Sequence, residues 1–416
     1  MTMALTNRRV LYISYNGMLE PLGQSQVIPY LRELSKLGVR FTLLSFERDA
    51  AFTPDGAVLR EELRRQLSSE GIEWHYLRYH RTPSLPATIY DVVNGVRYAR
   101  KVVLRNRIEM VHARSHIAAT IAMALKKRSP LKMIFDVRGL MAEEYVDANH
   151  WREGGIPYRL TKTMERRALQ AADGVVTLTE KVWPVIKDWE GLRDREVIHE
   201  VVPCCADLEL FCFSEDGRLQ AKERLNLRDR FVLVYSGSVG GWYLADKMAD
   251  FFVELTRMRP NSHFLWLTGG PKSLIQNLMS ERGLNADQFT VCAARPLDVP
   301  MFLSAADVGI AFYKPALSRL ATSPVKLAEY LACGLPVVIN AGVGDSDTLI
   351  STEGVGAVVR RFDETEYREV LSTIVAMLGV EARQRSRKVA EQFFDVRRVG
   401  VERYARLYEE LLDRAN

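Results

Sequence analysis

The sequence predicts an α/β protein made of two doubly wound, parallel-sheet domains. Three observations carry this expectation. The 416-residue length exceeds what one hydrophobic core usually holds. Short apolar runs of strand type alternate with amphipathic helical stretches along most of the chain. The alternation then restarts near residue 231, after a linker-like segment at 203–211.

The first half opens with a strand at 10–15, a glycine-bearing loop at 16–23, a helix at 25–37 stopped by Gly38, and a second strand at 40–46. This βαβ start invites a dinucleotide site, and Glu47 stands near the place of a ribose-binding acid. Gly17 and Gly23 are six apart, however, and the G-x-G-x-x-G spacing is missing. A nicotinamide or flavin site is therefore disfavoured. Later strands at 109–112 and 133–137 end beside His112, Arg114, Asp136 and Arg138. Ligands of open parallel sheets collect outside the carboxyl ends of strands, so position makes these four residues candidates. An ion pair from Arg138 to Glu143 or Glu144 is the competing account of that arginine. His112 and His116 are four apart but have no third ligand, which is weak support for a metal.

A helix at 159–171 and strands at 175–178 and 197–202 complete this half. The second half reads as a strand at 231–235, the turn 236–241, a helix at 244–257, and strands at 263–267, 289–292, 308–312 and 337–339. A helical stretch at 396–412 follows.

Composition bounds the function. The 47% hydrophobic and 26% charged fractions are those of an ordinary globular protein. The sequence has no run of membrane-span length, and its start carries no signal-like segment, so a cytoplasmic setting is expected. Five cysteines without Cys-x-x-Cys spacing indicate neither a disulfide framework nor zinc, and no metal or cofactor is expected. The net charge of +5 is mild but uneven. Between Arg97 and Lys132 ten Lys or Arg residues face one acid, Glu109. Arg97, Lys101 and Arg105 follow at four-residue steps on a predicted amphipathic helix. Such a stripe is either a solvated face or a contact for anionic lipid headgroups or a diphosphate-bearing acceptor. Nucleic acid is not expected, because no recognition motif accompanies the patch.

The most informative stretch is 322–340. Ser323 is expected to cap a helix that has Pro324 at its first position and Gly334 at its end, before the buried strand 337–339. Lys326 falls in the first turn, where the helix dipole disfavours a cation and favours an anion. An external anion, held by the ammonium and the unpaired backbone N–H groups, would account for it. Glu329 lies one turn on and could accept hydrogen bonds from hydroxyls of the same ligand, and phosphate beside sugar hydroxyls describes a nucleotide. A surface Lys–Glu pair, worth a few tenths of a kcal/mol, is the alternative.

The run Ser-Pro-Val-Lys-Leu-Ala-Glu-Tyr-Leu-Ala-Cys-Gly-Leu-Pro-Val-Val from Ser323 resembles the donor-site signature of family 4 glycosyltransferases of the GT-B fold. The spacing of Gly23, Leu31, Leu34 and Gly38 is similar to that family's first loop and helix, and 203–211 resembles its interdomain linker. The resemblance implies two Rossmann-like domains facing each other across a cleft. They would be an acceptor-side domain at 1–206 and a nucleotide-sugar domain at 207–385, with C-terminal helices at 386–416, the last crossing back to the first domain. It implies a retaining hexosyltransferase that uses a UDP- or GDP-sugar and a glycan or lipid-linked acceptor in polysaccharide or glycolipid assembly, at the inner face of the cytoplasmic membrane.

Carried over by position, Glu329 would bind the donor ribose, while Lys326 and the backbone of Thr322 and Ser323 would hold the diphosphate. Gly23, Gly237 and Ser238 would line the donor loops. Arg295 would border the nucleobase, and Arg138, standing where relatives often have a histidine, would brace the leaving diphosphate. Three residues depart from the family pattern: Ala321 replaces an acid that helps hold the sugar, and Ser238 and Tyr243 replace an Arg and a Lys. A nucleotide-sugar epimerase of similar architecture and a catalytically silent binding protein are the alternatives.

Overall fold

A computed structural model describes residues 5–189, 192 and 195–413. The ends of the expected first and last segments, 1–4 and 414–416, lie outside the described residues. The chain divides into two compact units, Met1–Pro203 with Val396–Asn416, and Cys204–Asp395.

Among the described residues the first unit holds seven parallel strands: β1 (Arg9–Ser14), β2 (Arg40–Glu47), β3 (Ile72–Arg78), β4 (Met110–Arg114), β5 (Lys132–Asp136), β6 (Gly174–Thr177) and β7 (Ile198–Val201). Their order is β3-β2-β1-β4-β5-β6-β7. Strand order reverses between β1 and β4, whose register pairs Val10 with Met110 and Ser14 with Arg114. Buried on both faces by crossover helices, β1 reads as the continuous apolar run Val-Leu-Tyr-Ile.

The first expected helix begins earlier and is broken. It runs Pro21–Gln26 and Ile28–Lys36, with Val27 outside helical geometry between them. Pro29 lies in the first turn of the second piece, where its missing N–H is harmless, and a continuous helix could not have supplied that hydrogen bond. Close packing makes Gly23 obligatory, since a Cβ there would lie 2.3 Å from the Gly17 carbonyl oxygen.

The second unit holds β8 (Phe231–Ser236), β9 (Ser262–Leu267), β10 (Phe289–Cys292), β11 (Val308–Ala311), β12 (Val337–Asn340) and β13 (Gly356–Val359), in the order β10-β9-β8-β11-β12-β13. Alternation along β8 and β9 splits its core into two layers. Val232, Val234, Leu265 and Leu267 face one side, and Leu233, Tyr235, Phe264 and Trp266 face the other. Each fully buried side chain of this size contributes about 1.5–3 kcal/mol.

Asp307, just before β11, fastens the sheet to its helices. It accepts from Val232 N at 2.8 Å and Lys222 Nζ at 2.9 Å, and pairs with Arg218 and Arg383. Burial raises its pKa, but Lys222 and Arg218 overcome that and hold it below the usual carboxylate value. The helix Val380–Phe393 packs on the helix Val325–Ala332 and belongs to the second unit, so the expected 386–416 segment divides at Val396. From there a π-helical turn, Val396–Val401, leads into the helix Glu402–Asp413 of the first unit.

Candidate functional site

Strand order in the second unit reverses between β8 and β11, and ligands of such sheets bind outside the carboxyl ends at that point. The residues meeting there are Tyr235 and Ser236 at the end of β8, the loop 237–244, Tyr313 after β11, and the start of the helix Val325–Ala332. Backbone pairing folds the loop onto β11: Leu244 N donates to Phe312 O at 3.0 Å and Lys314 N to Trp242 O at 2.8 Å.

The helix is set down on the sheet through a glycine. A Cβ on Gly309 would lie 2.4 Å from the Tyr330 ring, so only glycine admits this approach. The Tyr330 hydroxyl then accepts from Ser236 N at 2.8 Å. At the helix end Leu335 N donates to Tyr330 O and Gly334 N to Leu331 O, with Gly334 at φ +72°. This is the Schellman closure expected of Gly334. The other end corrects the sequence expectation. Pro324, at ψ 119°, is the cap, and Ser323 caps nothing; its hydroxyl accepts from Cys204 N at 3.1 Å.

Lys326 is buried, with its ammonium among three tyrosine rings: Tyr243 at 3.9 Å, Tyr235 at 4.8 Å and Tyr313 at 5.5 Å from the centroids. The Gly237 backbone presses on it, because a Cβ at φ +142° would lie 2.9 Å from Nζ. Among the described residues no carboxylate lies within ion-pair distance of Nζ. Burial lowers the lysine pKa, against which the Tyr243 hydroxyl and Glu329 favour the charged form. Glu329 keeps part of its surface exposed, yet desolvation raises its carboxyl to about 7, with Lys326 acting in the opposite direction. The surface-pair account of Lys326 and Glu329 therefore fails: the lysine is inside and the two are not bonded.

Sequence reasoning missed a second buried cation. Arg319 is 4% exposed, lies over the Trp242 ring at 5.1 Å, and donates to the Ser318 hydroxyl at 2.8 Å, again with no carboxylate partner among the described residues. Lys326 and Arg319 thus rest on adjacent aromatic residues, Tyr243 and Trp242. Each cation–π contact is worth up to about 2 kcal/mol when desolvated, which leaves a buried ammonium short of the stabilisation an anion would supply.

Other expected residues stand differently. The Thr322 N–H is taken by Arg319 O at 3.0 Å, so the expected backbone donor there is occupied. Ser238 offers its carbonyl to the Tyr235 hydroxyl. Arg295 is exposed and bound to Asp298 at 2.7 Å, on the turn before the helix Val299–Ser304.

In the first unit, His112 and Asp136 are fully buried. His112 Nδ1 meets the Tyr408 hydroxyl at 2.7 Å, and the Tyr404 hydroxyl donates to Asp136 at 3.0 Å. Burial raises the Asp136 pKa, but Arg138, His112 and Arg114 outweigh it and hold the group at about 2. Burial lowers that of His112. These two expected acceptor-side residues are thus bonded to the C-terminal helix. Arg138 lies 3.5 Å from Asp136, and Glu143 is engaged by Lys162 at 2.9 Å. Arg114, also buried, donates to Asn16 at 3.3 Å.

A different histidine is displayed. Asp91, fully buried, accepts from the Tyr15 hydroxyl at 2.8 Å and His80 N at 3.0 Å, and meets His80 Nδ1 at 2.6 Å. A carboxylate only accepts, so Nδ1 carries the proton of this bond. The ring is 38% exposed, with its Nδ1 edge turned to Asp91. Tyr79 and Phe46 pack on Tyr15 beside it.

Two family models match: a glycosyl transferase 4-like domain over residues 26–183, and glycosyl transferases group 1 over residues 230–376, together more than half of the chain. The chain belongs to the family 4-type glycosyltransferases. Among relatives of this glycosyltransferase is TuaH of Bacillus subtilis (strain 168), named for teichuronic acid biosynthesis. It is 30% identical over 183 residues, covering 43% of each chain. The D-inositol 3-phosphate glycosyltransferase of Stackebrandtia nassauensis is 24% identical over 326 residues, covering 74% of this chain and 70% of that one. The glycosyltransferase thus spans less than half the length of the first relative. In fold it is similar to Anabaena Alr3699/HepE solved with UDP and glucose, with TM-score 0.71, 13% identity, and 97% and 100% of the two chains covered. The two parallel α/β domains are those of the GT-B fold.

Proposed function

We propose that this glycosyltransferase moves a hexosyl group from a UDP- or GDP-sugar to a glycan or lipid-linked acceptor, with retention at the anomeric carbon, in surface-polysaccharide or glycolipid assembly. The observation that carries the proposal is the pair of buried cations, Lys326 and Arg319, which have no carboxylate partner among the described residues, at the strand-order reversal of the second sheet. A diphosphate supplies the missing charge, and Arg319 stands in for the basic residues that Ser238 and Tyr243 replace. Glu329 accepts from the ribose hydroxyls. The UDP in the HepE structure supports the donor class, and the TuaH name supports the polysaccharide setting.

In the proposed step the bond from C1 of the sugar to the diphosphate oxygen breaks, its electron pair leaves with the diphosphate, and the acceptor oxygen bonds to C1 on the same face. The diphosphate takes the acceptor proton. This chemistry needs positioning and charge stabilisation, which the two cations provide, and the proposal includes no metal or other cofactor. On the acceptor side the reading adds His80 to the sequence candidates His112, Arg114 and Asp136: with Nδ1 bonded to Asp91 at 2.6 Å, its Nε2 would accept from a hydroxyl. Among the described residues no helix is long and apolar enough to cross a membrane. We place the enzyme at the inner face of the cytoplasmic membrane, held peripherally.

Calorimetric titration with UDP, GDP and ADP tests the donor site. Micromolar or tighter binding of one diphosphate, weakened in Lys326→Ala, is expected; binding of none would reject the reading. Incubation of the donor sugar alone should leave its stereochemistry unchanged, whereas acceptor-free epimerisation would favour the epimerase.

A further inference from the structure

The helix Ser84–Asn106 turns Ala87, Asp91, Gly95, Ala99, Val102 and Val103 inward. Its outward face is unusual. Leu85, Ile89 and Tyr90 are each more than half exposed, Val93 is 41% exposed, and Leu104 is 70% exposed. Arg97, Arg100 and Lys101 continue the same face, are exposed, and make no ion pair among the described residues. Arg105 is tied to Glu73 at 3.3 Å. The helix has one acid, Asp91, and that carboxylate is buried against Tyr15 and His80. The outward face is therefore apolar over its first turns and cationic over the later ones, with no negative charge.

Single exposed apolar residues need no explanation, but four within two and a half turns form a patch, and a patch marks an interaction. A solvated face would not carry them. A purely electrostatic contact would need the arginines and the lysine but not Leu85, Ile89 and Val93. Large apolar side chains beside unpaired cations, lying along one helix, match the headgroup layer of an anionic bilayer, which is apolar below and negative above.

We propose that this face is the membrane-docking surface of the enzyme, with Leu85, Ile89, Tyr90 and Val93 entering the acyl boundary and Arg97, Arg100 and Lys101 meeting lipid phosphates. The proposal rests on the reading that the enzyme works at a membrane, and adds the face and the mode of attachment. His80 packs edge-on against Tyr90 at 5.0 Å, so docking here holds its ring next to the lipid surface. That places it where a membrane-embedded acceptor exposes its hydroxyls.

Insertion and adsorption differ in their response to salt. Surface charges are screened when the Debye length falls to about 3 Å near 1 M, whereas apolar burial is not. The test is co-sedimentation of the full chain with vesicles of phosphatidylcholine, alone and mixed with phosphatidylglycerol, at low and high salt. Binding to the mixed vesicles is expected, with only part of it lost at high salt. The double variant Ile89→Gln with Val93→Gln is expected to lower the partition coefficient by about tenfold or more at both salt levels. The triple variant Arg97→Gln, Arg100→Gln, Lys101→Gln should bind less at low salt and match the parent at high salt. All these positions are at the surface, and unchanged thermal midpoints and nucleotide affinity would show that the variants fold and that the donor site is independent. Complete reversal by salt, with the double variant like the parent, would overturn insertion while leaving a peripheral enzyme. Absence of binding to either vesicle would overturn both the face and the membrane reading. A salt-insensitive dimer abolished by the double variant, without lipid binding, would assign the face to a second copy of the chain.

Discussion

The ammonium of Lys326 lies 3.9 Å from the centroid of the Tyr243 ring, closer than to any other aromatic residue around it. The aromatic face compensates part of the desolvation of the charge but leaves it unneutralised. Removing the charge should therefore separate stability from binding. Lys326→Met, which keeps the volume, is expected to raise the thermal midpoint by about 2–4 °C, corresponding to roughly 1 kcal/mol. Lys326→Ala is expected to weaken nucleoside-diphosphate binding by about 1.5–3 kcal/mol. Differential scanning calorimetry and titration calorimetry measure the two. A stabilising role for the charge would show as a fall in the midpoint of the Met variant.

Gly237 should be intolerant of any side chain. Its φ of +142° is costly for other residues, and a Cβ would lie 2.9 Å from Lys326 Nζ. Gly237→Ala is expected to displace the lysine and weaken diphosphate binding by about 1–3 kcal/mol, the cost range of a strained backbone position. Gly240, at φ +86° but with open space around its Cβ position, is the control: Gly240→Ala carries backbone strain without touching the ammonium. Equal losses of affinity in both variants would show that strain alone is responsible.

Glu329 gives the site a pH dependence. Its folded pKa of about 7 lies above the ordinary 4.5, so the folded protein holds a proton that the unfolded chain releases. Stability from this group is therefore present below about pH 4.5 and is lost as pH rises through 7. Each pKa unit corresponds to about 1.4 kcal/mol, and partial exposure reduces the total to about 1–2 kcal/mol. Glu329→Gln should therefore be more stable than the parent at pH 8 and little different at pH 4.5, judged by thermal midpoints. Ribose hydroxyls favour the ionised form, so diphosphate binding should strengthen as pH rises from 6 to 8, with proton release visible in buffers of different ionisation enthalpy. A pH-independent affinity in the parent would remove Glu329 from the donor site.

Much of the candidate site was legible because it is local: Lys326, Glu329 and the closing Gly334 fall within nine residues, and helix rules relate them. Its walls were not legible. Tyr235, Tyr243 and Tyr313 come from a strand end, a loop and a second strand end, and only the sheet order β8-β11 joins them. Arg319 looks like any surface arginine until its burial over Trp242 is seen. The strands missed from the sequence, β3 and β13, lie at sheet edges, where partial exposure or short length removes the continuous apolar run. Asp136 ends β5 as expected, but His112 lies in the middle of β4, and a helix nearly three hundred residues away covers both. His80, on the loop after an unrecognised edge strand, had no signal beyond its residue type.

His80 and Asp91 yield a prediction about the acceptor. In His80→Asn the amide nitrogen can occupy the place of Nδ1 and keep the bond to Asp91, while the lone pair at Nε2 is removed. This variant is expected to keep its thermal midpoint and its diphosphate affinity, with KM for the donor unchanged. Its kcat/KM for the acceptor should fall by about tenfold to a hundredfold, corresponding to roughly 1.4–2.7 kcal/mol. In Asp91→Asn the new amide can donate to Nδ1, which moves the ring proton to Nε2 and reverses its hydrogen-bonding sense. That variant should lose the acceptor in the same way and also lose stability, because Tyr15 and the backbone of His80 share the carboxylate. Steady-state kinetics with donor and acceptor varied separately provide the measurement. A fall in stability of His80→Asn with acceptor kinetics intact would reduce the pair to a clasp between the β3 end and the helix Ser84–Asn106.

The network beneath the C-terminal helix gives the last prediction. The Tyr408 hydroxyl bonds His112 at 2.7 Å and the Tyr404 hydroxyl bonds Asp136 at 3.0 Å, all four side chains being buried. Tyr408→Phe leaves His112 Nδ1 without its partner in a site that excludes water, and the cost of such a group is about 1–3 kcal/mol. Asp136→Asn removes the carboxylate that Arg138, His112 and Arg114 hold at about 2, and should cost more, about 3–5 kcal/mol, as for one partner taken from a buried pair. Because the folded pKa of Asp136 is depressed below the ordinary 3.8, its contribution is present above about pH 4 and is lost as pH falls through 2. The gap between parent and Asp136→Asn should therefore be widest near neutral pH and close in acid, as followed by denaturant unfolding at several pH values. Diphosphate affinity should be unchanged in Tyr408→Phe, since its contacts all lie within the first unit. If that variant instead kept its stability and lost turnover, His112 would act on the acceptor side of the reaction.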